Sequence, residues 1–273
     1  MEVNITVLVD NMVYSEKIRA EHGLSMFIET EDVSLLFDTG QSSLFMRNAE
    51  VLDADIISAD TIVLSHGHYD HTGGIPAFIG KRENIEIIGH EDAFKPKYST
   101  DRDGNVHDIG IPCGRETIES LNTVICSGVT EVAKGIFAVT DIPRTSYFET
   151  VPDRFFADRE CTVHDSIRDD LSLVIETSEG LVCLLGCAHA GVANILEAVH
   201  SEFPARKIRA VMGGTHLINA QGERLAFTLE ALKKHDVQWF RPGHCTGVKG
   251  ISYFMMQSFI QTAPLSAGTV FSV

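Results

Sequence analysis

The chain has 273 residues, of which 44% are hydrophobic and 22% charged, and its formal net charge at pH 7 is −16. This length and composition indicate a globular protein with a sizeable core, and no repeat or low-complexity tract is visible. The negative charge argues against nucleic acid as a partner, since phosphate backbones require a clustered excess of Lys and Arg, but it is compatible with an anionic small molecule held by a metal or a local cation.

The amino terminus and the cysteines bear on the compartment. The first residues lack the basic and apolar regions of a secretory signal, and no apolar stretch approaches the ~18 residues of a membrane span. The six cysteines form no C-x-x-C pair, and Cys126 and Cys183 lie in apolar runs typical of buried strands. We therefore expect a reducing, cytoplasmic setting with no membrane partner.

Short apolar runs predict the elements of the first half of the chain. Apolar and polar residues alternate over 3–9, which is typical of a strand with one buried face. The further predictions are a hairpin with strands at 24–28 and 33–37, a helix at 42–52, a strand at 61–64, a helical segment at 75–78 and a strand at 85–88.

The segment 90–115 has a different composition. It contains Lys95-Pro96-Lys97, an Asp-x-Asp-Gly-Asn turn at 101–105 and Gly110-Ile111-Pro112, all of which are typical of loops. A loop of this length inside a domain is usually a lid, a binding loop or a mobile segment. We expect it to be a long loop insertion that contributes to substrate choice.

The second half repeats the pattern of strands punctuated by helices. Its predicted elements are strands at 123–126 and 136–139, a hairpin with strands at 171–175 and 181–185, a helix at 192–199, a strand at 210–212, a helix at 225–235, a strand at 237–240, a helix at 253–260 and a strand at 270–273. Two strand-rich halves with helices in both predict two sheets between helices, in one domain over residues 1–273.

The segment Ser65 to Gly74 reads Ser-His-Gly-His-Tyr-Asp-His-Thr-Gly-Gly and follows the predicted strand at 61–64. A strand that ends in such a turn can aim His66 and His68 at one metal ion, and Asp70 and His71 at a second. Neutral imidazole and carboxylate groups are ligands that zinc and similar ions prefer, and catalytic sites keep one coordination position open for water. The motif therefore predicts a metal centre.

Two more histidines occur in the same local setting. His189 follows the apolar run at 181–186, and His244 follows the predicted strand at 237–240. Small residues and glycine flank both, which allows backbone and ligand to approach closely. We expect both histidines to join the metal centre, because donor groups that converge from separate strand ends are typical of active sites.

These motifs together resemble the metallo-β-lactamase superfamily. The likeness covers nearly the whole chain and also rests on Gly23-Leu24-Ser25 and on the strand end Leu36-Phe37-Asp38-Thr39-Gly40. It implies an α/β (α+β) fold of the αββα sandwich type, with two mixed sheets between helices. It also implies two ligand sets, which are His66, His68 and His189 for one ion and Asp70, His71 and His244 for the other.

The chain departs from the family at one position. Most members supply a bridging Asp at a strand end, whereas this chain reads Gly213-Gly214-Thr215-His216-Leu217 there. His216 or Cys187 is a candidate for the missing ligand, and the alternative for His216 is a supporting or core histidine. Without a bridging carboxylate the second ion is expected to bind weakly or not at all. Asp70 and His216 are the candidate catalytic residues.

Finer details resemble the dihydropteroate-synthase-like branch of the superfamily. The segments that carry this likeness are 10–11, 21–25, 141–144, 186–191, 213–217 and 242–247. Members of this branch join a dihydropterin methyl diphosphate to a ribofuranosyl-aminobenzene phosphate, with loss of diphosphate. The resemblance implies a transferase for a phosphate- or diphosphate-bearing small molecule, and Arg144 is a candidate to hold a phosphate as a bidentate fork.

Two other functions remain open. The same ligands would serve a metal-dependent hydrolase of phosphodiesters, lactones or thioesters, because a metal can either activate water or polarise phosphate oxygens. A metal-binding or ligand-sensing protein with little turnover is the alternative of another class. We expect one or two divalent ions per chain, zinc first, with manganese or iron as alternatives, and a homo-oligomer is compatible with the sequence.

Overall fold

Two sheets of seven strands each form the centre of the structure, a computed structural model that describes residues 2–82 and 84–273. The strands are β1 (Asn4–Val9), β2 (Ser25–Glu29), β3 (Ser34–Phe37), β4 (Thr61–Val63), β5 (Glu86–Gly89), β6 (Tyr98–Thr100), β7 (Val106–Asp108), β8 (Asn122–Ile125), β9 (Val129–Ala133), β10 (Ile136–Val139), β11 (Phe155–Phe156), β12 (Ser172–Thr177), β13 (Gly180–Leu185), β14 (Ile208–Gly214), β15 (Trp239–Gly243), β16 (Gln261–Thr262) and β17 (Val270–Ser272).

Helices cover the outer faces of both sheets. The α-helices are α1 (Leu44–Val51), α2 (Tyr69–Thr72), α3 (Ile75–Ile79), α4 (Arg115–Ser120), α5 (Val192–Glu202), α6 (Gly222–Lys234) and α7 (Gly247–Met255). Short 3-10 helices occur at Ile56–Ser58, Glu91–Phe94 and His244–Thr246. Among the described helices, none combines the length and the apolar character that a membrane span requires.

The two large sheets have the same internal plan. The first has the order β17-β1-β2-β3-β4-β5-β8, and the second has the order β16-β15-β14-β13-β12-β10-β9. In each sheet one part is antiparallel and the other is parallel. The parallel strands are β3, β4, β5 and β8 in the first sheet and β13 to β16 in the second. The predicted fold of two mixed sheets between helices is confirmed.

Alternating apolar side chains create the layers. In β13, Val182 and Leu184 pack between the two sheets, while Cys183 and Leu185 pack against the helices on the outer face. A third cluster joins the first sheet to α1 and α3 through residues such as Phe45 and Phe78. Because each buried aliphatic or aromatic side chain stabilises the fold by about 1.5–3 kcal/mol, these layers hold the strand ends in fixed positions.

Several details differ from the predictions, and β9, β11, β16, α2 and α4 were not predicted. The segment 90–115 contains a 3-10 helix and strands β6 and β7, which form a three-stranded sheet with β11. The last helix spans Gly247–Met255 rather than 253–260, because it begins directly after the 3-10 helix at His244–Thr246. The apolar residue Ile260 is buried, but it leads into β16 instead of continuing the helix.

Candidate metal centre

The predicted metal-binding side chains converge at one edge of the sandwich. They follow the carboxyl ends of parallel strands: the histidine motif follows β4, Cys187 and His189 follow β13, His216 follows β14, and His244 follows β15. Strands that run side by side in the same direction end at the same edge, so loops distant along the chain meet there. The sheet topology therefore assembles the centre.

The first group of donors is His66, His68 and His189. One nitrogen of each ring lies within 4.8 Å of a nitrogen of the other two. The Nε2 atom of His66 is 2.9 Å from the Nδ1 atom of His68. All three side chains are buried. The structure thus brings together the three histidines that the sequence assigned to one ion.

Buried contacts fix the turn that carries this group. A Cβ atom on Gly67 would collide with the carbonyl oxygen of Ala93, so only glycine fits between the two histidines. The Gly67 N–H donates to Asp169 at 2.8 Å. Lys97 in turn pairs with Asp169 at 2.9 Å and with Asp165 at 3.0 Å. The segment 90–115 therefore supports the turn that carries His66 and His68 through a buried ion-pair cluster.

The second group is Asp70, His71 and His244. The Oδ2 atom of Asp70 lies 3.4 Å from His244 Nε2 and 3.8 Å from His71 Nε2. Burial alone would raise the pKa of Asp70, but the surrounding histidines, led by His71, outweigh burial and hold that pKa well below its usual value. The carboxylate is charged at neutral pH and faces the imidazoles, as a metal ligand would.

Polar neighbours orient the rings of this second group. Asp38 binds His71 Nδ1 at 2.6 Å, and Asn11 Oδ1 lies 2.9 Å from His244 Nδ1. Asp10 accepts a hydrogen bond from the backbone N–H of His244 at 2.9 Å. Each imidazole is held through Nδ1, which leaves its Nε2 atom facing the centre. Such outer partners are typical of metal-binding histidines.

His22 is a member of the centre that was not predicted as one. Its Nε2 atom lies 3.1 Å from Asp70 Oδ2, and its ring centroid is 5.2 Å from that of His244. The hydrogen bond to Asp70 raises the pKa of His22. The only signal in the sequence was its place in the segment 21–25, which supported the family resemblance without indicating a metal site.

Cys187 lies between the groups. Its sulfur belongs to three clusters of donor atoms, and within each cluster all donor atoms lie within 4.8 Å of one another. The other members are His66 and His71 in one cluster, His244 and Cys245 in another, and His189 and His216 in the third. The Cys187 sulfur is 3.3 Å from His71 Nε2. Both candidates for the missing bridging ligand, Cys187 and His216, are therefore at the centre, and Cys187 is the more central of the two.

The donor set fits a bound metal ion. Four imidazole nitrogens are buried without a hydrogen-bond partner among the described residues: His68 Nε2, both ring nitrogens of His189, and His216 Nδ1. A buried polar atom left unpaired costs about 1–3 kcal/mol, so such a concentration indicates that another group completes the site. Burial also lowers the pKa of His68 to about 4, which leaves a neutral ring with a free lone pair.

His71 differs from the first group of histidines in its charge preference. Burial lowers the pKa of His71, but the carboxylates of Asp38 and Asp70 outweigh it and raise the pKa to about 9. A position where two carboxylates stabilise an added proton is also one where they stabilise a cation. The electrostatics of the second group therefore favour positive charge at His71 Nε2.

The centre opens into a cavity of about 420 Å³. It is lined by His22, His68, Asp70, His189, His216 and His244, and also by Tyr69, Arg154 and Phe155. This volume lies within the range of small-molecule sites, which are usually about 300–1,000 Å³. His216 faces this cavity rather than the core.

Arg144, the candidate phosphate-binding residue, lies elsewhere. Its Nη2 atom donates to the carbonyl oxygen of Ile167 at 2.6 Å, and it lines a separate cavity of about 280 Å³ with Asp141 and Asp170. The structure does not bring it to the metal centre, because the turn at 141–144 directs it toward the loop before β12. Arg154, which was not predicted, lines the metal-centre cavity instead.

Comparisons with known proteins agree with this geometry. A sequence model described as the metallo-beta-lactamase superfamily matches residues 18–155. A protein of Methanocaldococcus jannaschii named 7,8-dihydropterin-6-methyl-4-(beta-D-ribofuranosyl)-aminobenzene-5'-phosphate synthase is 31% identical over 277 residues, which cover 97% of this chain and 94% of that protein. An uncharacterised protein of the same organism is 33% identical over 251 residues, covering 91% and 92% of the two chains.

A solved structure is similar over the full length. It is described as a metal-dependent hydrolase of the beta-lactamase superfamily, and it superimposes with a TM-score of 0.86 at 27% identity, covering 99% of both chains.

Proposed function

The chain belongs to the metallo-β-lactamase superfamily, and from this premise we propose that it is a metal-dependent transferase. Its substrates would be a dihydropterin methyl diphosphate and an aminobenzene derivative, joined with loss of diphosphate. One observation carries the proposal: the named synthase matches 97% of the chain at 31% identity, so the likeness is not confined to the metal-binding turn.

The metal-binding residues follow from the two donor groups. His66, His68 and His189 would hold the first ion, and Asp70, His71 and His244 the second, with Cys187 between them. A divalent cation in these positions would supply positive charge to the oxygens of a departing diphosphate. Imidazole donors with a nearby thiol favour zinc, with iron and manganese as alternatives.

The remaining chemistry falls to the side chains of the cavity. As the amine nitrogen attacks the methylene carbon, the new C–N bond forms while the C–O bond to diphosphate breaks. The amine must then lose a proton, and His216 Nδ1, buried and unpartnered at the cavity wall, is our candidate to accept it. Asp70 would keep His22 and His244 oriented toward the reacting groups.

A metal-dependent hydrolase is the second candidate. The description of the similar solved structure as a hydrolase favours it, and the same donor groups serve both reactions. In a hydrolase, water replaces the amine as the attacking group, and the substrate is a phosphoester, lactone or thioester. A ligand-sensing protein would bind the same metals but turn over neither class of substrate.

The experiment is an incubation of metal-loaded protein with the dihydropterin methyl diphosphate, with and without the ribofuranosyl-aminobenzene phosphate. Mass spectrometry identifies the products. The coupled pterin–aminobenzene product supports the transferase, whereas diphosphate with free hydroxymethyl pterin supports the hydrolase. Inactivity on both, together with fast opening of a lactone or thioester, would overturn the assignment to a phosphate-bearing substrate.

A further inference from the structure

A second, larger cavity adjoins the metal centre. It has a volume of about 820 Å³ and shares Arg154, His216, Ile218 and Asn219 with the wall of the metal-centre cavity. The two cavities are therefore neighbours, and His216 lines both of them. The remaining walls of the larger cavity come from α6, from the strand β6 with its following turn, and from the segment before β11.

Three aromatic side chains form one wall of this larger cavity. Phe148 and Phe227 are stacked, with ring centroids 4.8 Å apart and an interplanar angle of 28°. Tyr147 meets Phe227 edge-on at 5.6 Å and is 77% exposed. Exposed aromatic groups of this kind bury a large area when a planar ring packs on them, and their geometry favours a ring as the ligand.

Three arginines, Arg102, Arg154 and Arg224, line the same cavity. Within residues 2–82 and 84–273, none of these three arginines forms an ion pair. The arginines that do are Arg115, Arg168 and Arg209. The Nε atom of Arg224 is buried without a hydrogen-bond partner in this part of the chain. The guanidinium group of Arg224 also interacts electrostatically with the buried carboxylate of Glu149, whose oxygens accept hydrogen bonds from the backbone N–H groups of Ala193 and Asn194. Arg102 and Arg154 are exposed and therefore open to an anionic ligand, and planar guanidinium forks match phosphate oxygens.

The acidic groups of the cavity do not cancel this charge. Asp101 accepts hydrogen bonds from the backbone of Asp103 and Asn105 and from the side chain of Asn105, so its carboxylate is engaged in its own turn. Glu223 is the other carboxylate in the lining. The lining therefore holds three arginines against two carboxylates, an excess of one positive charge in a chain whose net charge is −16.

We propose that this arginine–aromatic cavity binds an aromatic phosphate ester. Its ring packs on Phe148 and Phe227, and its phosphate pairs with Arg224 and Arg154. The identification of this ligand with the aminobenzene substrate rests on the proposed function, whereas the site itself does not.

The test is calorimetric titration of the metal-containing protein with 4-aminophenyl phosphate, in which the affinity of each variant is compared with that of the unaltered protein. We expect the unaltered protein to bind the ester saturably. Phe227→Ala should weaken binding about fivefold, the value of one aromatic contact. Arg224→Gln should weaken it at least about tenfold, as expected for a lost charge-assisted hydrogen bond.

Matched variants control for unspecific effects. Phe259→Ala removes an exposed aromatic group on another face, and Arg115→Gln removes an exposed arginine of α4. Both should bind as the unaltered protein does. If thermal melting shows that Phe227→Ala or Arg224→Gln is misfolded, Tyr147→Ala and Arg154→Gln, at exposed positions of the same cavity, replace them. Unchanged affinity in the cavity variants would overturn the proposal.

These measurements separate the cavity from the reaction. If the cavity variants weaken binding of the ester but the protein forms no coupled product, the proposed function is wrong and the binding site stands. If the protein forms the coupled product, and its KM for the aminobenzene acceptor is unchanged in Phe227→Ala and Arg224→Gln, the proposed function stands and the proposed binding site is wrong.

Discussion

The Nε2 atoms of His71 and His244 lie 3.1 Å apart, although the residues are separated by 173 positions in the chain. Asp38 and Asn11 bind the opposite nitrogens of the two rings, at 2.6 and 2.9 Å. Two buried imidazoles whose Nε2 atoms face each other, beside the carboxylate of Asp70, are a donor arrangement that suits a shared cation. This relationship motivates the predictions on metal binding.

The first prediction concerns the ligand group of His66, His68 and His189. His68→Ala should reduce the metal content by one ion per chain and lower activity by at least about 100-fold, because a direct ligand matters at least as much as its supporting partners. Elemental analysis and activity measurements check this. His200→Ala, on the exposed side of α5, is the control and should retain both. Full metal content and activity in His68→Ala would show that His68 is not a ligand.

The second prediction is that the two ions bind with different affinities. The strand end at 213–217 lacks the bridging Asp of the family, so the group of Asp70, His71 and His244 should bind more weakly. Protein stripped by a chelator and titrated calorimetrically with Zn²⁺ should show two classes of site. Asp70→Asn should affect the weaker class alone. A single tight site under excess metal would contradict the prediction.

The third prediction assigns the bridging position to Cys187. Its sulfur is central to three clusters of donor atoms, so Cys187→Ala should weaken the second class of site by about tenfold or more. Cys187→Asp, which supplies the carboxylate found in most family members, should retain that site. Cys113→Ala, outside these clusters, is the control. Equal metal affinities in all three variants would exclude a ligand role for Cys187.

The fourth prediction concerns the buried ion pair that supports the metal-binding turn. Lys97 is 2% exposed and Asp169 is fully buried. Lys97→Met should lower the free energy of unfolding at pH 7 by about 3–5 kcal/mol, because it leaves buried carboxylates without their partner. Urea unfolding measures the change. Lys95→Met, which removes an exposed lysine two residues away, should cost less than about 1 kcal/mol.

The effect of Lys97→Met should depend on pH. Burial alone would raise the pKa of Asp169, but Lys97 outweighs it and holds that pKa below its ordinary value. The pair therefore stabilises the fold above about pH 4 and loses this contribution as the pH falls through the lower, folded pKa. Without Lys97, burial should raise the pKa of Asp169. The stability difference between the two proteins should then shrink from pH 7 to pH 4, and a constant difference would contradict this account.

Much of the metal centre is predictable because its signals are local. The motif at 66–71 places four donors within six residues, and His189 and His244 each follow a recognisable apolar strand. Sheet topology does the rest, since parallel strands end at one edge. The positions of these donors in the structure match the expectation, while their roles as ligands stay predictions.

Other parts of the site depend on contacts that no local pattern records. His22 reaches Asp70 from a loop, and Arg144 turns toward Ile167 rather than toward the cavity. Strands β6 and β7 have three residues each, which is too few for an alternating pattern to be recognised. They pair with each other, and β6 also pairs with β11, about 50 residues later in the chain. The arginine–aromatic cavity likewise combines α6 with two distant segments.

The central claim is that an amine, not water, attacks the carbon that carries the diphosphate. The most direct measurement is the initial rate of diphosphate release by metal-loaded protein as a function of the concentration of ribofuranosyl-aminobenzene phosphate. The account predicts a rate that rises from near zero to saturation, with one coupled product formed for each diphosphate released. Diphosphate release at the same rate with and without the amine, and with no coupled product, would contradict it and identify a hydrolase.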